Sequence, residues 1–403
     1  MRVLLIGSGG REHAMGWKLA NSPRVKELIS LPGNPGLAEL GPVVEGIDGT
    51  DVGAIAAMAR VHGVDLVVVG PEDPLAAGVT DAVSRLGIPV FGPTRAAARL
   101  ESSKAFAKDV MSRAGVATAG AERFLEPDPA KSHIDSLEGP YVVKADGLAG
   151  GKGVLVTDSK TDARSWVDHW IEEGPVVVED FLDGPEVSLF AVCTESGTVA
   201  LEPARDYKRL LEGDEGPNTG GMGSYSPVAD LSPDLVEHTM DEVVRPTLTQ
   251  MEEDGNPFHG FLYAGMVITD EGPKVLEFNV RLGDPETQAI MPRLRSDLLD
   301  VLEGAEPEWS DLCTVNVVLA ARGYPTSPEK GAEIRGLDGR LGEDVLVFHA
   351  GTVAEGKKIF VDGGRIASVV GIGVDIEMAR DRAYEAVGRI SWPGMQYRSD
   401  IAL

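Results

Sequence analysis

The chain has 403 residues, 43% of them apolar, with 64 acidic against 37 basic side chains and a formal net charge of −27. That length exceeds one ordinary core and implies two to four domains, while the charge opposes docking on a polyanion and excludes nucleic acid as the expected partner. No stretch approaches the roughly 18 apolar residues of a membrane span, the opening apolar run at 3–6 is too short for a secretory core, and Cys193 and Cys313 form no disulfide framework, so a cytoplasmic protein with no membrane partner is expected.

Over the first hundred residues four short apolar runs, VLLI, ELISL, DLVVV and IPVF, alternate with helical patterns, and each ends in Gly or Pro. Strand–helix alternation predicts a parallel, Rossmann-like sheet with ligands outside the carboxyl ends of its strands. The first turn, Gly7-Ser-Gly-Gly-Arg-Glu-His13, follows a strand and opens a helix. A dinucleotide fingerprint needs a small residue where Glu12 stands, and the second strand ends without an acid for a ribose. Those glycines read instead as an anion nest for a single phosphate, with a plain tight turn as the alternative.

Residues 102–115 read as a capped amphipathic helix closed by Gly115. From 117 to 190 strands dominate (YVVKAD, GVLVT, PVVVEDFL, EVSLFAV), with one helix around 162–173. The segment VVKADGLAGGKGVLV (142–156) sets four glycines and two lysines between two strands. It is not a P-loop: the spacing fails, Gly153 replaces the hydroxyl residue that would hold Mg²⁺, and strand leads to strand. A glycine-rich hairpin tip is a flap, whose N–H groups can close over phosphates while Lys144 reaches their oxygens.

In VVVEDFLDGPE (176–186) a strand runs into acids and an apolar pair, which fits a nucleotide slot. A long helix opens at Ser232-Pro233, and its positions 235, 236, 239, 240, 243, 244, 247, 248 and 251 share one face. In VLEFNVRLGDPETQA (275–289) strand alternation puts Glu277, Asn279 and Arg281 on one face and Leu276, Phe278 and Val280 on the other. A carboxylate and an amide oxygen suit Mg²⁺ held with nucleotide phosphates, and a guanidinium beside them suits a substrate carboxylate. The last 90 residues read as strands and a helix near 375–389, a small α+β domain.

Taken in order, GSGGREHA, PGNPG, VGPEDPL, FGP, ESSKAFAK, KADGLAGGKGV, EDFLDGPEVS, RDYKR, GPNTGGMGSYSP, GFLYAGM and LEFNVRLGDPETQ resemble the landmarks of the ATP-grasp superfamily. Within it they resemble the phosphoribosylamine–glycine ligases, over nearly the whole chain. RLGDPETQ is specific to those ligases, whereas KADG…GKGV is shared with relatives. The resemblance implies a multidomain α/β and α+β fold: a Rossmann-like domain at 1–100, an ATP-grasp domain of two α+β lobes at 101–308 with its flap lobe at about 118–188, and a C-terminal α+β domain at 309–403. It implies a monofunctional, ATP-dependent ligase of purine biosynthesis that joins glycine to 5-phosphoribosylamine through a glycyl phosphate. Another ATP-grasp carboxylate–amine ligase or carboxylase is the alternative.

Carried over by residue, the resemblance implies that Lys104 and Lys144 contact ATP phosphates under a flap containing Gly147, Gly150, Gly151 and Gly153. Glu179, Phe181, Leu182 and Glu186 would line the adenosine slot, and Glu277 and Asn279 would hold Mg²⁺ or Mn²⁺. Arg281 would anchor the glycine carboxylate and, with Lys144, Asp206 and Lys208, form the reacting centre. Gly9, Gly10, Glu72, Asp73, Asn218, Gly220 and Gly221 would surround phosphoribosylamine. Related enzymes often place a third, acidic metal ligand on the preceding strand, where this chain has only Ala264-Gly-Met266, and Gly150 stands where Ala is commoner, implying a looser flap. A monomer is expected, with a homodimer as the alternative, and His13, His259 and His349 fall in no catalytic pattern.

Overall fold

The computed structural model describes residues 1–150, 153–229, 231–337 and 341–403. Its N-terminal part is a parallel sheet in the order Glu27–Pro32, Arg2–Gly7, Leu66–Val69, Val90–Phe91, one strand from each expected apolar run. Both faces are covered: Leu4 and Ile6 enter one core while Val3 and Leu5 enter another, the period of two expected of a strand buried on both sides.

The helix Lys104–Ala114 follows, its first turn capped by Ser103, whose hydroxyl accepts from the Phe106 N–H at 3.2 Å. Gly115 ends it at φ +70°, a conformation that costs a side-chain-bearing residue more. Next comes an antiparallel sheet in the order Ala121–Phe124, Val176–Glu179, Tyr141–Ala145, Val154–Thr157. Two helices cover it, Pro127–Ser136 and Lys160–Trp170. The first of these corrects the expectation of a single helix in this region. Its buried stripe is only Ala130 and Ile134, too sparse to show a 3.6-residue period. This flap lobe has a core of its own, built on Phe124, Ile134, Tyr141, Val143, Val167 and Val178.

A second antiparallel sheet, in the order Gly197–Ala200, Glu186–Thr194, Gly260–Thr269, Gly272–Asn279, forms the other lobe. The long helix beside it starts at Pro233 with Ser232 as its cap. It widens into a π turn over Met240–Val244 before continuing as Arg245–Glu253. Pro246 has no N–H to give to the preceding turn, and the widened turn accommodates its ring.

The C-terminal sheet is antiparallel, in the order Arg205–Asp206, Gly223–Ser226, Cys313–Ala320, Arg365–Gly373, Val345–His349. Its first two strands come from mid-chain, so the segment 205–226 hangs from the C-terminal sheet. The chain's last residues brace that segment. Arg398, 1% exposed, bonds Asp214 at 2.8 Å and Asp400 at 2.6 Å and lies over the Tyr207 ring. The helix Ile376–Val387 crosses the sheet at Gly371, where an added Cβ would sit 2.0 Å from the Ala379 carbonyl oxygen.

The N- and C-terminal parts meet at a histidine pair. His13, on the helix Gly10–Ala20, accepts the His349 N–H on Nδ1 at 2.8 Å and packs edge-on to Phe348. Asn34 donates to the carbonyls of Ser8 and His349 at 2.8 and 2.9 Å. Among the described residues no helix is long and apolar enough to cross a membrane, and both cysteines are free.

Candidate active site

Two adjoining cavities, of about 140 and 350 Å³, lie between the flap lobe and the second lobe, and both are lined by Lys144, Glu179, Leu276, Glu277, Asn279 and Arg281. The smaller runs under the flap root, past Lys104, Gly147, Gly150 and Gly153. The larger opens towards Phe181, Leu182, Glu186, Asp206, Lys208, Asn218 and Gly220. Most of the expected site residues are therefore brought together.

Lys144, 3% exposed at the end of its strand, pairs with Glu179 at 2.9 Å and donates to the Leu276 carbonyl at 3.3 Å. Glu179, expected to line the adenosine slot, lines both cavities and bridges Lys144 and Lys108, the latter at 3.2 Å. Lys104 donates to the Gly147 carbonyl at 3.1 Å, which ties the helix to the flap root. Burial lowers the pKa of both Lys104 and Lys108, against the pull of nearby carboxylates. Asp146 completes the root, accepting from Ser103 and the Ala105 N–H and pairing with Arg123 at 2.9 Å. Gly150 lies at φ +55°, in the left-handed region. Gly151 lies outside the described residues.

The strand Gly272–Asn279 departs from simple alternation. Glu277 pairs with Gly265 and Val275 with Met266, so Leu276 is an extra residue, a β-bulge. Strict alternation would have put Leu276 in the core with Phe278 and Val280. The bulge instead turns it into both cavities, while Phe278 and Val280 stay 2% exposed. Burial opposes charge on Glu277, but Lys144, Lys208 and Lys104 outweigh it and lower its pKa. The Asn279 amide nitrogen faces Glu277 at 3.4 Å, which leaves the amide oxygen for another partner. An ionised carboxylate and an amide oxygen suit a hard divalent ion that takes its other ligands from phosphate and water. Among the described residues no group of three or more His, Cys, Asp or Glu offers a rival metal nest.

Arg281 is clamped by two acids, Glu72 and Glu101, each at 3.1 Å. Glu101 also accepts the Val280 N–H at 2.7 Å. Burial, only partly offset by Arg281, pushes Glu101 up to about 7. Glu72 moves the other way: burial opposes its charge, and Arg281 and Arg11 outweigh that. Its hydrogen bonds go to Glu72 and, from Nη1, to the Leu282 carbonyl, so N–H donors of the fork remain for a ligand.

At the far wall Lys208 pairs with Glu186 at 2.7 Å and with Asp206 at 3.5 Å. Burial opposes the Lys208 charge, but Asp206, Tyr263 and Glu186 together raise its pKa. Gly220 presents its carbonyl to Arg365 and its N–H to the Tyr324 hydroxyl. Gly221 packs on Pro285 and lines neither cavity.

The glycine nest at the first helix is filled from within. Glu12 accepts the Gly9 N–H at 2.7 Å, and the Arg11 N–H faces Asp284. An added Cβ at Gly7 or Gly70 would strike the Glu12 side chain at 2.3 Å, so Glu12 occupies the space a pyrophosphate would need. Gly10 faces Gln288, and neither Gly9 nor Gly10 lines the cavities. Asp73 is exposed and also lies off both cavities, whereas Glu72 lines the smaller one.

Lys108, Glu101, Glu286 and Arg365 were not foreseen. Lys108 had a visible signal, because it falls one helical turn after Lys104 on the same face. Arg365 had none: it reaches the Asp284 carbonyl at 2.6 Å from a different sheet.

Residues 1–101, 102–287 and 314–403 match the N, ATP-grasp (A) and C domains of phosphoribosylglycinamide synthetase. Phosphoribosylamine–glycine ligases of Streptomyces coelicolor and Mesorhizobium japonicum are 50% and 46% identical over the whole of this chain and 99% and 97% of their own lengths. The crystal structure of that ligase from Thermotoga maritima superposes with a TM-score of 0.86 at 38% identity, covering all of both chains. The biotin carboxylase domain of a 2-oxoglutarate carboxylase from Hydrogenobacter thermophilus, in complex with magnesium ADP and bicarbonate, shares the fold at 16% identity, with a TM-score of 0.73 over 98% of this chain and 91% of that one.

Proposed function

The chain belongs to the phosphoribosylglycinamide synthetase family, and from that premise we propose how the two cavities divide the work of its reaction. The protein is a carbon–nitrogen ligase of purine biosynthesis. It joins glycine to 5-phosphoribosylamine, giving glycinamide ribonucleotide while ATP is cleaved to ADP and phosphate.

In our reading adenine lies between the lobes, against Leu276 on one side and Val142 and Val154 on the other, with the chain at 181–182 along its edge. The triphosphate runs under the flap towards Lys104, Lys144 and Lys108. Glu277 and Asn279 hold Mg²⁺ or Mn²⁺, which when bound neutralises charge on phosphate oxygens. Arg281 offers its remaining donors to the glycine carboxylate, fixed in place by Glu72 and Glu101. Phosphoribosylamine enters the larger cavity from the side of Asp206, Lys208, Asn218 and Gly220.

A carboxylate does not accept an amine at neutral pH, so the first step is transfer of the γ-phosphoryl group to glycine, giving glycyl phosphate. For that transfer the chain supplies positioning and positive charge. The closed flap excludes water, which would otherwise hydrolyse the anhydride. The observation that carries this reading is Glu277, Asn279 and Arg281 lining both cavities, with Lys104 and Lys108 in the smaller one and Lys144 in both. The free thiols support a cytoplasmic setting. The test is ADP release with each substrate in turn. The reading expects sustained ADP release only when glycine is present together with an amine acceptor, freshly made phosphoribosylamine being the physiological one, and ADP formed with bicarbonate or D-alanine in place of glycine would overturn it.

A further inference from the structure

Eight carboxylates line the larger cavity: Glu179, Asp180, Asp183, Glu186, Asp206, Glu277, Asp284 and Glu286. Most are committed to cations or already exposed. Glu179 serves Lys144 and Lys108, Glu186 and Asp206 serve Lys208, and Glu277 faces three lysines. Asp284 has Arg365 and Gln288, and Asp180 and Asp183 lie exposed at the mouth.

Glu286 is different. It is 4% exposed, lines the cavity, and among the described residues makes no ion pair within 4 Å and accepts from no side-chain donor, the charges of Lys208 and Arg281 reaching it only from a distance. Its place is made by Gly283, where an added Cβ would lie 2.5 Å from the carboxylate. Arg281 and Lys208 stand on the cavity wall with it, as does Asp206.

We infer that Glu286 is the proton acceptor for the attacking amine, a role that rests on the glycyl phosphate reading above. Phosphoribosylamine's neutral 1-amino nitrogen attacks the carbonyl carbon of glycyl phosphate. As the C–N bond forms and the C–O bond to phosphate breaks, one amine proton passes to the Glu286 carboxylate. That proton then goes to the departing phosphate, so the amide and hydrogen phosphate leave and the carboxylate is regenerated. The electrostatics fit a group that must both take and return a proton near neutrality. Burial, then the Asp206 charge, pushes Glu286 up to about 7, while Lys208 and Arg281 pull the other way; Tyr263 and Arg365 also face it.

The test uses the full chain and two nucleophiles. Hydroxylamine attacks acyl phosphates at neutral pH without needing a base, so with ATP and glycine it should yield glycine hydroxamate. In Glu286→Gln, phosphoribosylamine turnover should fall on the order of a hundred- to ten-thousandfold, with hydroxamate formation within a few-fold of wild type. Glu286→Asp should restore part of the loss. Undiminished phosphoribosylamine turnover in Glu286→Gln would overturn the inference, as would equal loss with both nucleophiles. Absence of hydroxamate from the wild-type enzyme would instead remove the glycyl phosphate reading itself.

Discussion

Lowering the pH from 6.5 to 5 should loosen the junction between the N- and C-terminal parts, because His13 and His349 are held neutral there. Burial, reinforced by His349, lowers His13 to about 3, and burial lowers His349 to about 4. His13 Nδ1 accepts the His349 N–H, so a proton on that atom would set two donors against each other. An unfolded chain's histidines titrate near 6.5, so below that pH it binds protons that the folded chain refuses. Stability from this pair is therefore present above 6.5 and is lost as pH falls towards 4 and 3. Between pH 6.5 and 5 each histidine contributes a loss of about 1.6 kcal/mol, about 3 kcal/mol for the pair. Urea denaturation midpoints at several pH values measure the slope. His13→Gln should remove about half of it, the difference between variant and wild type cancelling the other titrating groups. Identical slopes in both proteins over this range would refute the reasoning.

Glu277→Gln leaves Lys104, Lys144 and Lys208 facing a neutral group, and ADP release should fall on the order of a hundredfold or more with the circular dichroism unchanged. Near-normal turnover would remove Glu277 from the metal site. Arg281→Lys keeps the charge but cannot span Glu72 and Glu101 while also presenting a fork, so the glycine KM should rise at least about tenfold; an unchanged KM would move the anchor elsewhere. Gly371→Ala forces a methyl group against the helix Ile376–Val387 and should destabilise the chain by about 1–3 kcal/mol in thermal or urea melts.

Much of this site could be read from the chain because its groups lie close together in sequence. Glu277 and Asn279 alternate at the end of one strand with Arg281 two residues beyond, and the flap's glycines and lysines fall within a dozen residues. Elements with a dense apolar period were legible too, such as the first strand and the helix closed by Gly115. What escaped depends on contacts across sequence distance. The turn of Leu276 into the cavities needs a one-residue bulge against the strand Gly260–Thr269, and no local pattern announces it. Nothing in the sequence shows that Glu12 folds back on the Gly9 N–H, or that Asp284 reaches the Arg11 N–H from 273 positions away. Arg365 reaches the cavity rim from the C-terminal sheet, and Glu101 joins the site because Arg281 lies between it and Glu72.

The separate core of the flap lobe has a consequence for how affinity can be adjusted. Because Phe124, Ile134, Tyr141, Val143 and Val178 pack among themselves, this lobe is a unit that can loosen while the rest of the molecule holds. Trimming Ile134 to valine should speed amide exchange in Tyr141–Ala145 and leave the parallel sheet protected. Nucleotide would then have to restore order that the native lobe already has, and would bind more weakly although no atom touching it had changed.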